Sequence, residues 1–166
     1  EVLPRATGVD VDGFSRLYMA DWRNGKFKFA GGGVEVGAVV VATAPGETPA
    51  SYQDVTKVGD SELVRLLISQ SGVQRLEAQQ EILKRGLSGQ ALQELRANTV
   101  NKAVPLYNRV AAIFTYKQLL GEESTPKLVQ LAKYDDSLRE FALRAMTDRK
   151  GELNNVPVEL FVDALS

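Results

Sequence analysis

Arg75-Leu76-Glu77-Ala78, Arg109-Val110-Ala111-Ala112 and Arg139-Glu140-Phe141-Ala142 decide how this chain is read. In each stretch an arginine precedes an alanine by three residues, and successive copies stand 34 and 30 residues apart. Pro126 and Pro157 recur at a matching offset of 31, each at the start of a first helix of a pair. A small alanine lets one helix approach another closely. The arginine can reach the carboxylates or terminal carbonyls of the preceding turn or the neighbouring unit. The repeating unit is therefore expected to be a helical hairpin. A single hairpin cannot bury its own apolar stripe, so tandem hairpins must stack, and the expected architecture is an α-solenoid.

Periods near 33 and 34 residues also belong to ankyrin and tetratricopeptide arrays. Neither Thr-Pro-Leu-His nor Trp-x-x-Leu-Gly-x-x-Tyr occurs here, and the leading proline with the arginine–alanine marker looks like short HEAT-type repeats. Helix boundaries support the pairing. Asp60 is placed to cap a first helix with Leu63, Leu66 and Leu67 inward, and Gly72 interrupts before a second with Val73, Leu76 and Leu83 as its stripe. Gly86 ends that helix. Ser88 caps a third with Leu92 and Leu95, and a longer fourth starts at or near Asn101, carrying Leu106, Val110, Ile113 and Phe114 up to Gly121. Ser124 and Pro126 open a fifth with Leu128 and Leu131. Asp135 or Asp136 caps a sixth with Leu138, Phe141, Ala142 and Met146, and Pro157 begins a seventh. The carboxylate pairs Glu122-Glu123 and Asp135-Asp136 fall at helix starts, where the macrodipole favours negative charge, so they read as caps before they read as acids.

Before Gly59 the apolar period is two rather than 3.6. Val9 and Val11, then Leu17 and Met19, alternate with polar or small residues across Asp12-Gly13-Phe14-Ser15, which predicts a hairpin. Gly13 is the residue expected to take a positive φ in its turn. Further strand runs are expected at Lys26–Ala30 and Val36–Ala42, separated by Gly31-Gly32-Gly33 and closed by Pro45, Gly46 and Pro49. The predicted organisation is a β-rich segment over 1–50, a linker over 51–59 and helical repeats over 60–166. The fold class is thus mainly α, preceded by a small antiparallel sheet. So small a sheet is marginal alone, and it reads as part of a larger one. The chain opens with Glu1 and has no basic-then-apolar leader, which points to a piece of something longer.

Composition narrows the chemistry. The chain has no cysteine and no histidine, which removes thiol nucleophiles, ordinary zinc sites, covalent haem attachment and every histidine-based triad from these 166 residues. What survives is carboxylate, lysine, serine or tyrosine chemistry and hard-metal binding through oxygen. Twenty basic against 21 acidic residues leave a formal charge of -1, with no overall excess to hold a phosphate backbone, so nucleic acid is not expected as a partner. No apolar run approaches the roughly 18 residues of a bilayer span. Asp10-Val11-Asp12-Gly13 looks like the opening of a calcium loop but lacks the later ligands and closing glutamate of an EF-hand. Gly31–Gly33 is not followed by Gly-Lys-Ser/Thr and reads as a loop rather than a phosphate cradle. No catalytic, cofactor-binding or metal-ligating residue is assigned.

Val9-Asp10-Val11-Asp12-Gly13 and Arg16-Leu17-Tyr18-Met19-Ala20-Asp21-Trp22 look like the last blade of a sorbosone or glucose dehydrogenase-like β-propeller. Arg75-Leu76-Glu77-Ala78-Gln79 through Leu83-Lys84-Arg85-Gly86 looks like the first HEAT repeat after such a propeller. Together they resemble the large haem-binding, membrane-bound dehydrogenase-type proteins of planctomycetes and their relatives. In that family a propeller is followed by HEAT-like repeats and then by a cytochrome c-type domain with Cys-x-x-Cys-His, which this sequence lacks. The resemblance implies an exported, extracytoplasmic oxidoreductase as parent, with haem c and a quinone or calcium as its cofactors. For this segment it implies a non-catalytic scaffold whose partners are proteins, first of all the parent's adjacent domains. Two other functions are weighed against it. One is a quinoprotein fragment that contributes calcium or cofactor contacts from Asp10, Asp12 or Asp21; the other is a carbohydrate-binding face made of Tyr18, Trp22 and Phe29.

Overall fold

The computed structural model describes residues 6–21, 37–42, 45–46, 48–49 and 51–165. The chain is mainly helical with a small antiparallel sheet, and it divides into two compact units. One comprises Glu1–Gln53 with Gln70–Val73, the other Asp54–Ser69 with Gln74–Ser166.

In the first unit β1 (Ala6–Val11), β2 (Leu17–Asp21) and β3 (Ala38–Ala42) form an antiparallel meander in the order β1-β2-β3. Asp10 pairs with Tyr18 and Tyr18 with Val41, so these three share one face; Val9, Met19 and Val40 share the other. The register slips between Ala6 and Gly8, a local irregularity on the outer strand. Val9, Val11, Val39 and Val41 are exposed. The runs at Lys26–Ala30 and Gly31–Gly33 lie outside the described residues.

The β1–β2 turn differs from the sequence reading in one respect. The positive φ falls on Ser15, at 61°, and not on Gly13. Asp12 makes this tolerable: its Oδ1 accepts from the backbone N–H of Phe14 (3.0 Å) and of Arg16 (2.9 Å), holding the loop from both sides. Gly13 is needed for a different reason, because a Cβ there would stand 2.3 Å from Cδ2 of Tyr52. The glycine serves close approach of a ring rather than a left-handed backbone.

The second unit contains α1 (Asp60–Leu66), α2 (Gly72–Arg85), α3 (Gly89–Asn98), α4 (Leu106–Leu120), α5 (Thr125–Tyr134), α6 (Asp136–Met146) and α7 (Glu159–Asp163), α2 taking its first two residues from the other unit. Gly86 (φ 79°) and Gly121 (φ 56°) end α2 and α4 in the left-handed region, as helix-stopping glycines should. The fourth helix starts five residues later than Asn101. Asn101 Oδ1 instead accepts from the Ala103 N–H, building a turn, and Pro105 then supplies the fixed φ that opens α4. Within 51–59, read as a linker, Val55–Lys57 forms a 3-10 turn capped by Asp54, and Val55 is buried. Arg85 donates to the carbonyls of Val55, Thr56 and Val58, fastening that segment to the end of α2.

The helices bury two separate apolar cores. The first gathers Leu63, Leu67, Ala78, Ile82, Leu95, Ala112 and Tyr116 from α1 to α4. The second gathers Ile113, Leu128, Leu138, Ala142, Met146 and Leu160 from α4 to α7. α4 is the common wall: Ala112 and Tyr116 look one way and Ile113 the other. α1 touches α3 and α4 touches α6, while α3–α4 and α5–α6 pack as neighbouring pairs.

Two expected stripes are displaced. On α2 the buried line is Gln74, Ala78 and Ile82, and Leu76 is 54% exposed. Ala78 fixes which side faces inward, and Leu76, two residues away, is turned about 200° from it. Leu106 is likewise exposed, because it occupies the first turn of α4, ahead of the packed part of that helix.

All three marker alanines, Ala78, Ala112 and Ala142, are fully buried. Enlarging one should therefore wedge helices apart: Ala142→Leu is expected to lower stability by about 1–3 kcal/mol in urea titration. The same change at exposed Ala97, on α3, should shift the midpoint by under about 0.5 kcal/mol.

Candidate functional site

Each marker arginine donates to a carbonyl at the C-terminal end of the helix before its own. Arg75 Nη1 reaches the Ser69 carbonyl, in the turn three residues beyond the end of α1, at 2.7 Å. Arg109 Nε reaches Thr99, just past α3, at 3.4 Å. Arg139 Nε reaches Ala132, in the last turn of α5, at 3.1 Å. The last carbonyls of a helix have no intrahelical donor and carry the negative end of its dipole, so a guanidinium there meets both needs. The three positions are related by structure as well as by spacing.

The arginines also reach forward. The Arg75 guanidinium lies 4.9 Å from the ring centre of Tyr107, in the first turn of α4. Arg109, 5% exposed, pairs with Asp135 at the N-terminus of α6, and Nη1 approaches the Ser137 hydroxyl at 3.5 Å. Arg139 instead bonds Asp136 one turn back on its own helix, and its side chain remains 45% exposed. Asn108, beside Arg109, donates to the carbonyls of Leu67 (3.2 Å) and Ser69 (3.4 Å), so the end of α1 is held from α2 and from α4.

Asp135 is a cap in fact: it accepts from the Ser137 N–H at 3.1 Å and the Ser137 hydroxyl at 2.5 Å. Those bonds with Ser137, followed by the pairing with Arg109, hold its carboxyl below the usual aspartate range despite some loss of solvent. Ser124 precedes α5 without capping it through its side chain; its hydroxyl donates to the Gly121 carbonyl at 2.6 Å. Glu122 and Glu123 sit in the 3-10 turn Gly121–Ser124 that leads into α5.

One tie carries no repeat signature. Lys117, 1% exposed, donates to Glu152 Oε2 at 2.6 Å and to the Gly121 carbonyl at 3.3 Å. Its sequence signal was a lysine inside the apolar run of α4. The hydrogen bond from Lys117, helped by Arg149, lowers the Glu152 pKa against the opposing effect of burial.

The carboxylates considered for calcium are placed as follows. Asp12 accepts from the Arg16 side chain (Nε, 2.7 Å) and the Tyr18 hydroxyl (3.2 Å) in addition to its two backbone donors. Burial raises its pKa, but the bonds from Arg16 and Tyr18 outweigh that and leave it lowered. Asp10 accepts from the Val11 N–H at 2.8 Å, and Asp21 is 4% exposed at the end of β2. Among the described residues no three His, Cys, Asp or Glu side chains converge as a metal site, and no helix is long and apolar enough to cross a membrane. Tyr18 has its ring 5.9 Å from the Arg16 guanidinium, which also stacks at 5.1 Å on Phe14. Trp22 and Phe29 lie outside the described residues.

Two measurements follow from the ties. Arg109→Ala strands Asp135 and the Thr99 carbonyl in a buried setting and should cost about 2–4 kcal/mol. Arg139→Ala, on a half-exposed pair, should cost under about 1 kcal/mol by the same urea titration. The depressed pKa values of Asp135 and Glu152 contribute stability that is complete above the ordinary carboxylate range near about pH 4. That contribution is lost as pH falls through the lower folded values. The urea midpoint should thus hold from neutral pH to about 5 and drop below about 4, with a somewhat shallower drop in Arg109→Ala, where Asp135 keeps only its bonds from Ser137.

No protein-family model, curated protein or solved structure matches this chain.

Proposed function

We propose that this chain is a non-catalytic scaffold of HEAT-like helical hairpins, an α-solenoid whose exposed helix faces are used for binding protein. The observation that carries this reading is the threefold arginine clamp on the end of the preceding helix. It recurs at α1–α2, α3–α4 and α5–α6. Two cores that share α4 support it as well, since a tandem array buries its apolar surface between neighbours rather than around one centre. The titratable groups in these ties are spent on cohesion. Asp135, Glu152, Arg109 and Lys117 hold helix ends and loops.

On the resemblance of the strand segment and first hairpin to propeller–HEAT dehydrogenases, the scaffold belongs to a larger exported oxidoreductase. There it would space the electron-donating propeller from the module that accepts the electrons. The Asp12 carboxylate, already accepting four hydrogen bonds within its turn, is a poor source of calcium ligands for the rival reading.

Truncation after Leu120 tests the architecture. A tandem array loses stability but keeps α1–α4 folded, with a cooperative urea transition and helical circular dichroism; a chain that melts outright overturns the solenoid reading. Oxidation of aldose sugars by the intact chain, supplied with a quinone and an artificial acceptor, should not exceed buffer. Sustained turnover would end the non-catalytic assignment.

A further inference from the structure

β1 is the outer strand of the meander, and all six of its residues are exposed. Such an edge presents backbone donors and acceptors to any strand that comes alongside. The ladder shows which groups those are. The Asp12 N–H donates to the Arg16 carbonyl at 3.1 Å, so Asp12 faces β2. Antiparallel pairing alternates, and Asp10 and Gly8 face β2 as well. Val9 and Val11 therefore turn their N–H and C=O groups away from the sheet, and their side chains are 65% and 42% exposed. The Val11 N–H is already taken: Asp10 Oδ1 accepts it at 2.8 Å. At the other end of the strand, the register slip between Ala6 and Gly8 breaks the regular repeat that an added strand would follow.

We infer that Asp10 guards the β1 edge against strand addition by a second copy of this chain. The carboxylate acts twice. It occupies the outward N–H that a neighbouring strand would need beyond Val9, and it places a charge on a margin otherwise made of Ala6, Thr7, Gly8, Val9 and Val11. A second copy is the partner to be excluded, because it carries the same exposed valines at the same edge, and antiparallel pairing about Val9 is two-fold by construction. That pairing would set the two Asp10 side chains on one face as diagonal neighbours, like charge beside like charge. It would also have to break the bond from Val11 to Asp10 in each copy before Val11 could donate across. Asp10 plays this part whether or not the helices form a solenoid.

The intact chain and its Asp10→Ala variant are compared by sedimentation velocity over about a hundredfold range of concentration. The original should stay a monomer throughout. Asp10→Ala should move toward a dimer as concentration rises, with amide exchange at Val9 and Val11 at least about tenfold slower in its concentrated sample than in its dilute one. Adding Val9→Pro removes an outward donor without touching the β1–β2 ladder, and should return Asp10→Ala to a monomer. Amide shifts across Leu17–Asp21 report whether the meander is intact. Where Asp10→Ala loosens it, Asp10→Val, a better strand former, is read in its place. An Asp10 variant that keeps the meander and stays monomeric overturns the inference, as does an original chain that already self-associates through β1. Association that survives Val9→Pro overturns it too. So does loss of the meander in both Asp10 variants, which would make Asp10 a folding residue and not a guard.

Discussion

A helix that ends inside a protein leaves carbonyls that must find donors, and in this chain the donor is an arginine from the next helix. The exchange is favourable on both sides: the carbonyls gain a donor, and the guanidinium gains an acceptor beside the carboxylates that Arg109 and Arg139 also meet. It also fixes geometry. A guanidinium that must reach Ser69, Thr99 or Ala132 sets how far each second helix can slide along its first. The alanine three residues on then sets how closely the two approach, since Ala78, Ala112 and Ala142 are all fully buried.

α4 shows what this arrangement demands of a central element. Because it faces one core through Ala112 and Tyr116 and another through Ile113, almost none of its circumference is left for solvent. Three of its buried polar residues serve a helix end or loop, while Thr115 bonds back to the Ala111 carbonyl of its own helix. Asn108 serves the end of α1, Arg109 the end of α3 and the start of α6, and Lys117 the Gly121 carbonyl and Glu152. Such groups are costly if left alone and near neutral when satisfied, so their contribution lies more in selecting one packing than in adding net stability.

Much of the helical part is legible in the amino-acid sequence. Gly86, Gly121 and Asp135 announce helix ends through elementary backbone and capping chemistry, and the arginine–alanine spacing marks three helices, α2, α4 and α6, whose arginines reach back toward the helix before. The departures have a common cause, which is that a local rule names a residue type and tertiary contact chooses its use. Gly13 invites a left-handed reading, but the ring of Tyr52 determines its need, and Ser15 takes the positive φ because Asp12 already holds the loop. Leu76 is apolar and helical, yet Ala78 had settled which side faces inward. Lys117 and Glu152 are 35 residues apart, and no periodicity links them; only the lysine's apolar surroundings hinted at a buried partner.

The ties also explain why a chain this close to neutrality can still be specific about how its parts meet. Its 20 basic and 21 acidic residues nearly cancel in the far field, so long-range steering contributes little. Charge acts at contact, where Arg109 meets Asp135 and Lys117 meets Glu152 with little water between them. A contact that is strong only when correctly seated discriminates against slipped or swapped hairpins, because a one-turn shift strands a buried charge on each side. The three arginines differ accordingly in what lies ahead of them, a tyrosine ring for Arg75, a capping aspartate for Arg109 and a pocket for Arg139. The backward contact is shared by the three arginines; the forward contact varies and gives each junction its own identity, written in residues outside the arginine–alanine spacing.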